Sequence, residues 1–327
     1  MLAKKDKNEK IIPVTKYFKA GFDESVDVIS QVGNLIAIGD TRKSDVIASK
    51  DTKIVTFVFE RFFIRTTSSA SLTVNIVFSN GISVISVIGA GGGQGFLNID
   101  MGANDALSKI FWNRLNEQFA DFCAKEITPR IGVLGGTFDP IHLGHKALAE
   151  AAIEELSLRK LIIMPAGIQP FKQDRNITED FHRKAMVNMT FDDNYITEVS
   201  DYEMSNNDIS YTIKTLAYLG EQYPNDEIFF ISGTDSFIEM ETWHKGKDIL
   251  KSYSLAVSIR PGYREEELND KIKSYTENYG TNIIKIKSKM PTISSTIVRN
   301  RIASGQDISD IVPKVVERYI KENGLYK

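Results

Sequence analysis

An α/β fold is what this sequence predicts: a doubly wound parallel sheet over residues 128–327, preceded by a small α+β domain with an antiparallel meander over residues 1–127. Three observations predict it. From Arg130 onward, strand-like and helical runs alternate, as in a parallel sheet with helices on both faces. Between Ile54 and Ile88, strand-like runs follow one another without a helix, two of them joined by Ser79-Asn80-Gly81, a strong hairpin signal. Between the two patterns lies Ala124-Lys125-Glu126-Ile127-Thr128-Pro129-Arg130, polar and proline-containing, as domain boundaries are.

Composition narrows the function classes. Hydrophobic residues at 42% and charged residues at 25% are ordinary globular values, so no part must be disordered. A net charge of -3 argues against a broad nucleic-acid-binding face, which is usually strongly basic. A phosphate ligand would need cations gathered locally. The single cysteine, Cys123, excludes an intrachain disulfide framework and fits a reducing compartment. There is no apolar run of membrane-spanning length, and Met1-Leu2-Ala3-Lys4-Lys5-Asp6-Lys7 lacks a signal-peptide core. A cytoplasmic protein without a membrane partner is expected.

In the first domain, Val26, Ile29 and Val32 at helical spacing predict a helix over Glu24 to Leu35. Strands are predicted at Ile54 to Thr66, Ser71 to Phe78 and Ile82 to Ile88. In the second of these, Val74, Ile76 and Phe78 form an apolar face and Thr73, Asn75 and Val77 a mixed one, as in a half-buried ribbon. Ala106 to Ala124 reads as one amphipathic helix with Leu107, Ile110, Phe111, Leu115, Phe119 and Phe122 on its stripe. The cluster Gly89 to Gly95 lacks the Lys-Ser/Thr of a phosphate loop and follows an antiparallel-looking strand, so it reads as a connection.

In the second domain, strands are predicted at Ile131 to Leu134, Leu161 to Met164, Tyr195 to Val199, Glu227 to Ser232, Leu255 to Ile259 and Ile283 to Lys287. Helices are predicted at Leu143 to Leu158, Thr178 to Thr190, Tyr211 to Gln222 and Asp248 to Ser252. Between the first strand and the first helix stands Gly135-Gly136-Thr137-Phe138-Asp139-Pro140-Ile141-His142-Leu143-Gly144-His145. Strand, glycine turn and helix aim backbone N–H groups and a helix N-terminus at an anion. Gly135 and Gly136 let backbone approach phosphate without a Cβ in the way. His142 and His145, three residues apart, share one helical face. A polyphosphate suits this arrangement, bound beyond the carboxyl ends of the parallel strands.

Gly135 to His145 resembles the nucleotide-binding signature of the HxGH nucleotidyltransferase superfamily, and Ile293-Ser294-Ser295-Thr296-Ile297-Val298-Arg299 resembles its second motif in the adenylyltransferase form. Further marks are Pro170-Phe171-Lys172, Arg183 with Met186, Ser210-Tyr211-Thr212, Gly233-Thr234-Asp235, Thr242-Trp243, Arg260-Pro261-Gly262, and the closing Val312-Pro313 to Tyr319-Ile320 and Leu325-Tyr326. Over about residues 130–327 the chain is similar to bacterial nicotinate-nucleotide adenylyltransferases, which make deamido-NAD from nicotinate mononucleotide and ATP. The residues before it carry no resemblance. The pattern departs from the family's in three places: a whole domain precedes the first strand, Pro170-Phe171-Lys172 replaces Pro-His-Lys, and His244 stands where a Tyr often follows Thr-Trp. The resemblance implies a Rossmann-like sheet and adenylyl transfer in NAD biosynthesis.

In the implied reaction a mononucleotide phosphate attacks the α-phosphorus of ATP and pyrophosphate leaves. The attacking phosphate is already an anion near neutral pH, so the task is to align two polyanions and stabilise charge. Cations and N–H donors do this. The catalytic candidates are His142 and His145, Lys172 in a loop after a strand, and Arg299, one turn into a helix capped by Ser294 or Ser295. The ATP-binding candidates are Gly135, Gly136, Thr137, Phe138, Gly233, Asp235, Ile293, Ser294 and Ser295. Phe138 suits packing as well as a nucleotide contact, and the resemblance suggests a ribose contact for Asp235. The mononucleotide candidates are Tyr211 and Thr212, which open a helix whose backbone donors suit a carboxylate, Trp243, whose indole suits the nicotinate ring, and Arg260. No HExxH, paired-cysteine or EF-hand pattern is present, so no protein metal ligands are expected, and Mg²⁺ is implied through the ATP phosphates.

Two other readings stay open: another member of the superfamily, such as a pantetheine-phosphate adenylyltransferase or a cytidylyltransferase, and a nucleotide-sensing protein with the first domain as effector. The choice between nicotinate and nicotinamide mononucleotide, homo-oligomer formation, and any regulatory role of the first domain are not legible in the sequence.

Overall fold

The computed structural model describes residues 14–37, 41–47, 52–63, 68–79, 81–91, 103–167, 177–205, 209–259, 262–288 and 290–327. They fall into two compact units, Met1–Thr128 and Pro129–Lys327.

The first unit runs β1 (Val14–Phe18), α1 (Phe22–Ile36), β2 (Thr41–Ile47), β3 (Thr52–Phe63), β4 (Ser68–Ser79), β5 (Ile82–Gly91), α2 (Ala103–Gln118), α3 (Ala120–Cys123) and β6 (Glu126–Ile127). Its sheet has the order β2-β3-β4-β5-β1-β6, with every pair antiparallel. Alternation decides which side is covered. Val55, Phe57 and Phe59, Leu72, Val74 and Ile76, and Ile85 and Val87 bury against Ile29 and Val32 of α1 and Leu107, Phe111 and Leu115 of α2. Thr73, Asn75 and Val77 lie half-exposed on the other side. A side chain at Gly33 would meet the Phe59 ring at 1.9 Å, so α1 sits against the sheet only because that position is glycine.

Several expectations change here. β1, β2 and β6 were not anticipated, being short or polar runs that gain their order from pairing. β6 lies within the stretch expected as a linker, with Ile127 opposite Tyr17. The single helix expected over Ala106 to Ala124 breaks at Phe119, whose φ of -132° is not helical. Ile110, expected on the buried stripe, is 36% exposed, while Trp112 is 7% exposed, its ring against those of Phe18 and Phe111. Leu107, Phe111 and Leu115 repeat every four residues and set the buried line, which leaves Ile110 on its flank. Gly89 to Gly91 belong to antiparallel β5, whereas Gly92, Gly93, Gly95 and Asn80 lie outside the described residues.

The second unit continues with β7 (Arg130–Gly136), α4 (Leu143–Glu155), β8 (Lys160–Pro165), α5 (Asp180–Phe191), β9 (Thr197–Val199), α6 (Tyr202–Ser205), α7 (Thr212–Gln222), β10 (Glu227–Gly233) and α8 (Thr234–Glu239). After a short 3₁₀ turn at Met240–Thr242 come α9 (Gly246–Ser252), β11 (Ser254–Ser258), α10 (Glu265–Tyr279), β12 (Ile283–Ile286), α11 (Ser295–Ala303) and α12 (Lys314–Asn323). The sheet is parallel throughout, in the order β12-β11-β10-β7-β8-β9. Winding reverses between β7 and β10, and a crevice opens at the carboxyl ends of strands at such a reversal.

Each central strand is buried on both faces, which explains its unbroken apolar run. Leu161 and Ile163 pack with α4, α5, α11 and α12, while Ile162 and Met164 pack with α7, α8, α9 and α10. At the amino ends of the strands, the Glu227 carboxylate accepts from Arg130 Nε at 3.2 Å, Ser254 Oγ at 2.7 Å and Asn282 Nδ2 at 2.8 Å, fastening neighbouring strands together. β9 is shorter than expected, because Tyr195 is 83% exposed and outside the ladder. Helices α6, α8, α10 and α12 were not anticipated. In α10, Leu268, Ile272, Tyr275 and Tyr279 have helical spacing, but they are diluted among charged residues.

Candidate active site

The turn leaving β7 stands at the β7–β10 reversal. A Cβ at Gly136 would come within 2.9 Å of the Phe138 ring, whereas one at Gly135 would make only ordinary contact, 3.6 Å from Phe230. Gly136 is therefore required by the turn's own packing, and exposed Gly135 leaves the outer side open to a ligand. Phe138 has a positive φ of 49° and a side chain only 1% exposed. Its ring lies beneath the turn, edge-on to His145 at 4.9 Å. The Phe138 side chain, a candidate nucleotide contact by sequence, thus packs from below, and only its backbone could meet ATP.

His142 caps α4, its Nδ1 accepting the His145 backbone N–H at 3.3 Å. An Nδ1 that accepts carries no proton, so the remaining proton is on Nε2. The two imidazoles stack at 3.8 Å with 20° between their planes, which places both at one point of the helix start.

The second motif is fastened to the first. Ser294 is the cap of α11, accepting from the Ile297 N–H at 3.2 Å. Ser295 Oγ donates to the Pro140 carbonyl at 2.9 Å. Arg299 Nη1 donates to the Asp139 carbonyl at 2.6 Å, and its Nη2 reaches Thr296 Oγ1 at 3.2 Å. Ile293 half-buries against the α4 side of the core, with its carbonyl facing Gly144. The N-terminus of α11 and the guanidinium of Arg299 therefore share the neighbourhood of the turn.

Arg183, noted in the sequence only as a family mark, builds the turn from inside. It is 1% exposed and donates to the carbonyls of Thr137 at 2.6 Å, Ala166 at 2.8 Å and Thr178 at 3.0 Å, and to the Asp180 carboxylate. A charge on the same helical stripe as buried Met186, Val187 and Thr190 is the sequence signal that could have found it. Ala166 and Thr178 flank the segment that carries Lys172. Lys172 and its neighbours Pro170 and Phe171, like Arg260, lie outside the described residues.

Across the crevice, β10 ends at Gly233, the cap of α8, with half-exposed Asp235 in that helix's first turn. Tyr211 caps α7 with its backbone alone, leaving the N–H groups at Thr212 without a side-chain cap. The Tyr211 ring lies 4.1 Å from His244. Trp243 is half-buried, edge-on to Phe230 at 6.1 Å. The two groups of mononucleotide candidates, Tyr211-Thr212 and Trp243, are thus joined by His244, which the sequence marked only as a departure.

Helix α10 braces this side. The Tyr275 hydroxyl accepts the Glu241 N–H at 3.3 Å and donates to the Ile238 carbonyl at 3.0 Å. The Glu241 carboxylate takes the Tyr279 hydroxyl and Lys271 at 3.4 Å. The Tyr279 hydrogen bond, helped by Lys271, holds the Glu241 carboxyl below its ordinary range. Glu203 moves the other way: burial pushes its carboxyl up, against the Thr215 hydroxyl that donates to it at 2.6 Å.

The cytidylyltransferase-like family model matches residues 133–301, and a family of unknown function (DUF6054) matches residues 14–119. The chain is 38% identical over 198 residues to a probable nicotinate-nucleotide adenylyltransferase of Desulfitobacterium hafniense, covering 61% of this chain and 96% of the relative. A protein of the same description from Clostridium botulinum is 38% identical over 200 residues, covering 61% and 98%. Among solved structures, the Plasmodium falciparum nicotinic acid mononucleotide adenylyltransferase complexed with NaAD aligns with a TM-score of 0.52 at 20% identity, over 61% of this chain and 97% of that one. At that identity the likeness shows the fold alone.

Proposed function

The chain belongs to the nicotinate-nucleotide adenylyltransferase family, within the cytidylyltransferase-like proteins, and from this premise we infer that it transfers an adenylyl group from ATP to nicotinate mononucleotide, giving deamido-NAD and pyrophosphate. The observation that carries the reading is the joining of the two motifs: Ser295 on Pro140 and Arg299 on Asp139, at the reversal between β7 and β10.

In this reading the triphosphate lies along Gly135, Gly136 and Thr137. The Nε2–H of His142, His145, Arg299, and the N-terminus of α11 behind Ser294 and Ser295 face its oxygens. Asp235, beside Gly233, takes the ribose. Nicotinate mononucleotide enters opposite, its ring on Trp243 and its carboxylate at the start of α7, where Tyr211 and Thr212 offer backbone donors. A phosphate oxygen of the mononucleotide forms a bond to the α-phosphorus while the bond to the bridging oxygen breaks and pyrophosphate departs. The attacking oxygen is already anionic, so positioning and charge stabilisation do the work. By resemblance, Lys172 and Arg260 add positive charge. Mg²⁺, when bound, would neutralise phosphate charge. Among the described residues no three His, Cys, Asp or Glu side chains converge on a common point. The ion is read as carried by the ATP phosphates and water.

We treat residues 1–127 as a separate domain and residues 128–327 as the transferase. No helix among the described residues is long and apolar enough to cross a membrane, and we take the protein to work in the cytoplasm. The test is pyrophosphate release from ATP with nicotinate mononucleotide, set beside nicotinamide mononucleotide, phosphopantetheine and CTP substrates. Turnover with nicotinate mononucleotide is expected, and turnover confined to phosphopantetheine or CTP would overturn the reading. Truncation before Arg130 should leave turnover unchanged.

A further inference from the structure

We propose that Tyr326 is a positioning residue for the transfer step, holding the phosphate-binding turn in place through Asp139. The proposal rests on the function inferred above.

Asp139 is a difficulty for a site that must bind polyanions. It is a carboxylate 6% exposed, inside the turn, one residue from Phe138 and three from His142. Left alone it would repel phosphate and carry an unmet desolvation cost. The structure directs it away from the crevice. Its Oδ1 accepts the Tyr326 hydroxyl at 2.8 Å, and the Thr178 N–H approaches Oδ2 at 3.5 Å. Its main-chain carbonyl meanwhile takes Arg299 at 2.6 Å. Tyr326 is itself held, packing against the core of α4, α5, α11 and α12 just after Gly324 ends α12. Burial, with Asp139 beside it, pushes the Tyr326 hydroxyl up, so it stays protonated and donating at neutral pH. One hydroxyl thus ties the end of α12 to the turn that presents His142 and His145, and to Thr178, at the far side of the Lys172 segment. Neither motif contains Tyr326, and nothing in the transfer reaction requires it to touch substrate.

The experiment compares the full chain with Tyr326→Phe, measuring kcat, the KM for ATP and for nicotinate mononucleotide, and thermal unfolding. The expected result is a fall in kcat of about ten-fold, the scale of one lost hydrogen bond to a charged group, with both KM values within about two-fold. Asp139→Asn in the same background removes the unbalanced charge and should restore part of the lost kcat. A kcat within two-fold of wild type, or a loss matching the fall in folded fraction, overturns the proposal. If Tyr326→Phe does not fold, Asp139→Asn alone carries the test: it weakens the acceptor and should lower kcat at unchanged KM, and an unchanged kcat overturns the proposal. Absence of turnover by the wild type would instead bring down the functional reading, and this proposal with it.

Discussion

The Ser295 hydroxyl donates to the Pro140 carbonyl at 2.9 Å, across 155 positions of sequence. With Arg299 on the Asp139 carbonyl at 2.6 Å, it makes the two motifs one body. Ser295→Ala removes a single neutral hydrogen bond, worth about 1 kcal/mol. The kcat/KM for ATP should fall about five-fold, while unfolding temperature changes little. Steady-state kinetics with varied ATP checks this. An unaltered kcat/KM would mean that Arg299 alone suffices to join the motifs.

Arg183 satisfies three carbonyls from separate segments with one planar fork. Lysine offers a point charge and cannot reproduce that geometry. Arg183→Lys should therefore destabilise the second unit by about 3 kcal/mol, since buried carbonyls lose their donors. Denaturant unfolding measures this directly, and stability equal to wild type would show that the carbonyls find other partners.

His145 stacks on His142 and is buttressed by Phe138. In the proposed reaction the charge it would meet grows as the bond to pyrophosphate breaks, which would assign its contribution to the transition state. His145→Ala should lower kcat by about a hundred-fold or more while the ATP dissociation constant shifts only a few-fold. Turnover assays paired with equilibrium titration distinguish the two, and equal losses in both would remove His145 from the transition state.

Burial raises the Glu203 carboxyl, so the folded state holds a proton over a range where the unfolded chain has released it. Stability from this group is therefore present at acid pH and falls as pH rises from the ordinary carboxylate range through the raised folded value. Glu203→Gln keeps an acceptor for Thr215 and removes the titration. Its unfolding temperature should exceed wild type at neutral pH, with the difference closing as pH is lowered through that range. A difference independent of pH would show that the charge is not what Glu203 costs the fold.

Much was legible beforehand. Parallel strands buried on both faces leave unbroken apolar runs such as Leu161 to Met164, and a half-buried antiparallel strand leaves alternation such as Thr73 to Phe78, because side-chain period follows burial. Elements held by partners rather than by their own pattern were not legible. Glu126–Ile127 is a strand only because Tyr17 and Phe18 lie beside it, and α10 hides Leu268 and Tyr275 among charges.

The sequence by itself determined the glycine turn and the helix caps beside it, since glycines before His142, and Ser294 ahead of an apolar run, act through bonds a few residues long. Tertiary structure alone decided what surrounds them. Strand order put β10 beside β7 and so brought Gly233 and Asp235 to the turn's side. Packing drew Phe138 under the turn, placed Arg183 within it and set Tyr326 on Asp139. Arg183 meets Thr137 across 46 positions and Tyr326 meets Asp139 across 187, and those energies depend on distances that exist only once the sheet and its helices are packed, so no local pattern encodes the pairings.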